Sequence, residues 1–138
     1  METANCKMLE FRIPADTRYV STVRRGIRSL AESAGFTRNE VADVEVAVSE
    51  AITNSVVHGS PDRDTADVVV KCETSGDFLV VEIEDRGGAK CLPPCHSAYD
   101  PSQERGRGIM MMRTLMDEWD DCRTDSGIRV RMAKQKGR

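Results

Sequence analysis

The chain has 138 residues, with 20 Lys and Arg against 23 Asp and Glu and a formal net charge of -3 at pH 7. That length suits one domain with a sizeable core. The mixed charge speaks against direct nucleic-acid binding, although the last ten residues are basic. Five cysteines without a regular framework fit reduced thiols better than a disulfide scaffold. No signal-peptide pattern opens the chain and no apolar run approaches membrane length, so a cytoplasmic protein is expected.

Residues 7–13 place Met8, Phe11 and Ile13 among charged neighbours, which predicts a strand. Pro14 ends it, and Asp16 or Thr17 can cap a helix. Val20, Val23, Ile27, Leu30, Ala31 and Ala34 then recur at helical spacing, and Gly35 stops that helix. Thr37 and Glu40 have the capping-box spacing of a second helix, which runs to about Val57 and is broken by His58-Gly59-Ser60-Pro61. Residues 66–72 and 78–84 are β-branched and apolar, a hairpin turning through Thr74-Ser75-Gly76-Asp77. Residues 86–105, with prolines, glycines and no steady period, read as a long mobile loop. Gly106-Arg107-Gly108 opens a helix over 109–119, in which Met110, Met111, Met112, Leu115 and Met116 read as core packing. Two short strands near 119–124 and 128–133 follow, joined by Asp125-Ser126-Gly127. The order β-α-α-β-β-loop-α-β-β predicts a two-layer α/β sandwich, a mostly antiparallel sheet with helices on one face. Val20, Val23, Ile27, Leu30, Val44, Val48, Val81, Ile83 and Leu115 are expected in its core.

Three segments carry chemistry. Glu50, Asn54 and His58 fall at i, i+4 and i+8, on one face of the second helix. Such a row can simply face water; it can also place an oxygen ligand for Mg²⁺ at Asn54, with Glu50 one turn away to orient or deprotonate a nucleophile. Asp85-Arg86-Gly87-Gly88 ends an apolar strand. It is either a plain turn or a carboxylate that accepts from an exocyclic amine, with Gly87 letting the backbone approach a base. Gly106-Arg107-Gly108 is either a flexible helix entry or an anion site, where the helix N-terminus and Arg107 meet phosphate. Cys91, Cys95 and His96 could bind a metal or form a disulfide, but their spacing is irregular for zinc.

Together the three segments resemble the Bergerat-fold (GHKL) ATPases. Residues 50–58 resemble the N-box, Asp85-Arg86-Gly87 the first glycine box and residues 106–117 the second. The short chain, His58 and Leu115-Met116-Asp117 are similar to one branch, the anti-sigma factor serine/threonine kinases of bacterial partner-switching systems. The resemblance implies that Glu50 is the catalytic base, that Asn54 coordinates Mg²⁺ and that Asp85 binds the adenine amine of ATP. It places His58, Gly87, Gly106, Arg107 and Gly108 in the nucleotide-binding set and makes residues 86–105 an ATP lid. It further implies phosphorylation of a STAS-domain anti-anti-sigma factor, sequestration of a sigma factor, and a homodimer. Two positions depart from the family pattern: Ala89, followed by Lys90, ends the first glycine box, and Ile128 follows Gly127 where the family often has Thr. The alternative reading is a non-catalytic partner-switching module with a decayed ATP site.

Overall fold

The computed structural model describes residues 6–58, 67–86, 104–124 and 127–137. Strand β1 spans Lys7–Pro14. Asp16 caps the 3-10 turn Thr17–Tyr19, its carboxylate accepting from the Arg18 amide at 2.9 Å. Helix α1 (Val20–Ser33) follows and ends where Gly35 takes φ 91°, a conformation that suits glycine.

Helix α2 (Arg38–His58) starts with the expected reciprocal cap. The Glu40 amide donates to Thr37 Oγ1 at 3.2 Å, and the Thr37 amide donates to Glu40 Oε1 at 2.8 Å. Arg28 of α1 makes a bidentate pair with Glu45 of α2, at 2.9 and 3.0 Å.

Strands β2 (Asp67–Ser75) and β3 (Phe78–Arg86), helix α3 (Glu104–Leu115), and strands β4 (Glu118–Arg123) and β5 (Ile128–Gln135) complete the order. The five strands pair antiparallel throughout, in the order β1-β2-β3-β5-β4. Alternation does the work expected of it: Val68, Val70 and Cys72 of β2 and Leu79, Val81 and Ile83 of β3 point to the helices and are buried. Ile27 and Val23 of α1 and Val44, Val48 and Ile52 of α2 meet them. Each such side chain contributes roughly 1.5–3 kcal/mol by leaving water.

Some expectations shift. Thr74 and Ser75 belong to β2, leaving Gly76 and Asp77 as a two-residue turn. Helix α3 starts at Glu104 and stops at Leu115, so Trp119 lies in β4 rather than at a helix end. Val20 and Leu115 are only partly buried; Val20 is the first residue of α1 and Leu115 the last of α3. Met112 and Met116 enter the core, but Met110 and Met111 are 52% and 45% exposed: consecutive helical residues cannot share one face. Of the expected loop 86–105, Arg86 is in β3 and residues 104 and 105 are in α3; residues 87–103 lie outside the described set. Among the described residues no helix is long and apolar enough to cross a membrane.

Candidate nucleotide site

Helices α2 and α3 run antiparallel and touch closely at one point. Glu50 and Asn54, both half-buried, project from α2 one turn apart. Gly108 of α3 faces them. A Cβ on residue 108 would stand 2.7 Å from Glu50 Oε1 and 3.5 and 3.7 Å from Asn54 Nδ2 and Oδ1. The bare Cα therefore lets the carboxylate and amide lie flat against α3. Gly108 is in the second turn of α3, so the unshared amides of that helix belong to residues before it. This corrects the expectation of Gly106-Arg107-Gly108 as an entry ahead of the helix: all three are helical.

The inward alternation of β3 runs Leu79, Val81, Ile83 and then Asp85, a carboxylate only 3% exposed where an apolar residue would continue the pattern. Gly127 lies against it. A Cβ there would overlap the Asp85 carbonyl and carboxylate oxygens. Gly127 is held by a tight turn, its amide donating to Thr124 Oγ1 at 3.0 Å and its carbonyl accepting from the Thr124 amide at 2.7 Å.

A narrow, nearly closed cleft of about 20 Å³ runs between Asn54 and Asp85. Helix α2 supplies Ala51, Asn54 and Ser55 to its wall, and β3 supplies Asp85. The rest is apolar: Ile109 and Met112 from α3, Trp119 from β4, Ile128 and Val130 from β5. Apolar walls with a few polar groups at defined points are the usual lining of a small-molecule site. Asn54, on the cleft wall, lies beside Gly108 in the second turn of α3, and the first turn of that helix favours anions.

The metal expectation meets a clear constraint. Among the described residues no group of three or more His, Cys, Asp or Glu could hold an ion. Mg²⁺ commonly takes one or two protein oxygens and completes its shell with phosphate and water. Asn54 Oδ1, with Glu50 beside it, fits that limited role.

Of the sequence-predicted site residues, Glu50, Asn54 and Gly108 come together; Asn54 and Asp85 line one cleft, whereas Glu50 lines a neighbouring surface hollow with Arg24, Glu45 and Ser49. His58 is the last residue of α2. Its side chain, like that of Arg107, and the whole of Gly87, Ala89, Lys90, Cys91, Cys95 and His96 lie outside the described set. Ser55, Trp119 and Val130 line the cleft without having been singled out. The signal for Trp119 was its two-residue alternation with Asp121 on a short strand.

Residues 13–134 match the family described as the histidine kinase-like ATPase domain. The chain belongs to this family. It is 34% identical over 136 residues to the serine-protein kinase RsbW of Bacillus velezensis, spanning 91% of this chain and 84% of that protein. With the serine-protein kinase RsbW of Bacillus subtilis it is 31% identical over 140 residues, 94% of this chain and 86% of the relative. These likenesses group it with protein serine kinases. Among solved structures, the RsbU and RsbW domains of a Mycobacterium tuberculosis protein superpose with a TM-score of 0.72 at 22% identity. That match covers 96% of this chain and 33% of the longer one. The histidine kinase domain of a blue-light activated kinase from Erythrobacter litoralis gives 0.59 at 20% identity, covering 89% and 61% of the two chains. Both likenesses bear on the fold, an antiparallel sheet covered by helices on one face.

Proposed function

We propose that the chain is an ATP- and Mg²⁺-dependent protein serine kinase of a partner-switching system. It phosphorylates a STAS-domain anti-anti-sigma factor and sequesters a sigma factor, acting in the cytoplasm as a homodimer. The observation that carries the reading is the meeting of Glu50 and Gly108 with Asn54, which lines one cleft with Asp85. The Asp85 carboxylate accepts from the adenine amine, and the apolar walls take the faces of the base. Gly106, Arg107 and Gly108 lie toward the phosphates, with His58 at the end of the helix that carries Glu50 and Asn54. Asn54 Oδ1 would hold Mg²⁺, which would supply charge neutralisation at the transferred phosphoryl group. Glu50 accepts the proton of the substrate serine as its oxygen bonds to the γ-phosphorus and the bond to the ADP oxygen breaks.

Glu50→Gln is the test. Calorimetry should give ATP and Mg²⁺ binding close to that of the unaltered protein. Transfer of labelled phosphate to the cognate STAS-domain protein should fall ~10²–10⁴-fold, the usual worth of a general base. Equal transfer rates would remove Glu50 from the mechanism. Asn54→Ala should instead weaken the Mg²⁺-dependent part of binding.

One observation favours a second reading. Ile128, 7% exposed, fills cleft wall next to Asp85, and the cleft is narrow. A non-catalytic binding module with a decayed ATP site would show no ATP heat and no transfer, yet still capture the sigma factor.

A further inference from the structure

Glu50 borders two spaces. Its Oε1 lies against Gly108, next to Asn54. It also lines a surface hollow of about 290 Å³ between α1 and α2, with Arg24, Ala42, Glu45, Val46 and Ser49. A short link, residues 34–37, folds α2 back along α1. Arg28 sits on Glu45, so one turn back along α1 and one turn forward along α2 bring Arg24 level with Ser49, the neighbour of Glu50.

The polar groups of the hollow are unequally used. Both oxygens of Glu45 accept from Arg28, at 2.9 and 3.0 Å. Arg24 Nε stands 3.6 Å from one of those same oxygens and, among the described residues, has no hydrogen-bond acceptor. That nitrogen is buried, while the Arg24 side chain as a whole is 41% exposed. A guanidinium carries five donors in a planar fork, so Arg24 has donors to offer a carboxylate arriving from outside. Beside it, Ala42 and Val46 are exposed, Val46 by 42%, and give the hollow an apolar part.

We propose that this hollow receives the serine-bearing segment of the phosphoacceptor protein, with Arg24 pairing to a carboxylate on that segment and Val46 covered by its apolar part. This rests on the kinase reading above. A hydroxyl that Glu50 deprotonates must come within about 3 Å of it. The cleft of Asn54 and Asp85 is nearly closed and is assigned to the nucleotide. The hollow is the second space that Glu50 borders, it opens to solvent, and it has room for a turn of chain. Docking there delivers the hydroxyl to the base.

The test is steady-state transfer of labelled phosphate to the cognate STAS-domain protein at saturating ATP, with ATP affinity measured by calorimetry in parallel. Arg24→Ala should raise KM for the acceptor roughly tenfold or more, the worth of a charge-assisted hydrogen bond. Its kcat should stay within about threefold and its ATP affinity should not change, the pattern of lost substrate docking. Arg24→Lys should keep part of the effect, Arg24→Glu should exceed Arg24→Ala, and the gap to the unaltered protein should narrow in salt. Val46→Trp, which fills the hollow from an exposed position, should also raise KM. Unchanged KM in Arg24→Ala and Val46→Trp overturns the proposal and leaves the kinase reading standing. So does weakened sigma-factor capture with KM untouched. Equal, salt-independent rises in Arg24→Ala and Arg24→Lys would assign Arg24 to holding α1 on α2, and overturn it too. No transfer by the unaltered protein overturns both readings. If Arg24→Ala does not fold, Val46→Trp decides alone.

Discussion

The Lys134 ammonium donates to the Leu115 carbonyl at 2.7 Å and to Asp43 Oδ2 at 3.2 Å. One buried cation near the end of β5 thus closes the C-terminus of α3 and joins it to the first half of α2. Gly108 meets Glu50 and Asn54 at the other end of the same helix pair, so α3 is fixed at two points about two helical turns apart.

Lys134→Met should therefore destabilise by ~1–3 kcal/mol, the usual cost of losing charge-assisted hydrogen bonds and leaving a helix carbonyl without its donor. Denaturant unfolding measures this. Hydrogen exchange should quicken in α3 more than in α1. A uniform change across both helices would mean that Lys134 adds only general stability.

Gly108→Ala sets two effects against each other. Alanine favours the helix by ~0.8–1 kcal/mol over glycine. Its Cβ would also stand 2.7 Å from Glu50 Oε1, and the end of that side chain must move away. The expected outcome is a midpoint of unfolding unchanged or raised, with phosphate transfer lowered by up to ~10²-fold through displacement of the base. A variant that is more stable and fully active would show that Glu50 has room to spare.

Gly127→Ala has no such escape, because its Cβ meets Asp85 backbone as well as side chain. Overpacking at a site that cannot give costs ~1–3 kcal/mol. Both the unfolding midpoint and ATP affinity should fall together, and calorimetry on the folded fraction separates them.

Glu40 gives a pH dependence. Hydrogen bonds from the Thr37 and Gly137 amides hold its carboxyl below the ordinary value of 4.5. A depressed folded-state pKa adds stability above that ordinary value, lost as pH falls through the lower one. Glu40→Gln should cost about 1 kcal/mol near pH 7, as a helix cap does. The gap to the unaltered protein should narrow below pH 4.5 and close in stronger acid. A gap independent of pH would assign the effect to packing.

Burial pushes the Cys72 thiol up to about 12, with Glu73 adding to it. In the native protein at pH 8, iodoacetamide should label Cys6, which is exposed, and spare Cys72, with peptide mass spectrometry reading both. Labelling of Cys72 at the rate of Cys6 would show that β2 opens readily.

What could be read in the sequence was local. Thr37 and Glu40 are three residues apart, and Glu50 and Asn54 four, so helical geometry alone brings them together. The strand alternation likewise put Val81 and Ile83 inside. Relations that depend on strand pairing were out of reach. Gly127 meets Asp85 only because β5 pairs with β3, and nothing near either residue announces it. Trp119 looked like a helix end because the apolar spacing continues past Leu115, where the backbone in fact bends at Met116 and Asp117. The sequence marks the last ten residues only as basic. In the fold Lys134 and Lys136 donate to carbonyls closing α3 and α1, the latter to Ala34 at 2.6 Å.

The strand order has a consequence for synthesis. Of the five described strands β5 comes last in the chain, yet it sits inside the sheet, with β3 on one side and β4 on the other. While the ribosome is still translating residues before 128, β1, β2 and β3 can pair but β3 has an unfilled edge, and β4 has nothing to join. The Gly137 amide reaches Glu40 and the Lys136 ammonium reaches Ala34 only after release of those last residues from the exit tunnel. Folding is therefore completed late, through contacts distant in the chain, a topology that slows folding. Until then the nascent chain shows an apolar strand edge, the kind that invites pairing with other chains.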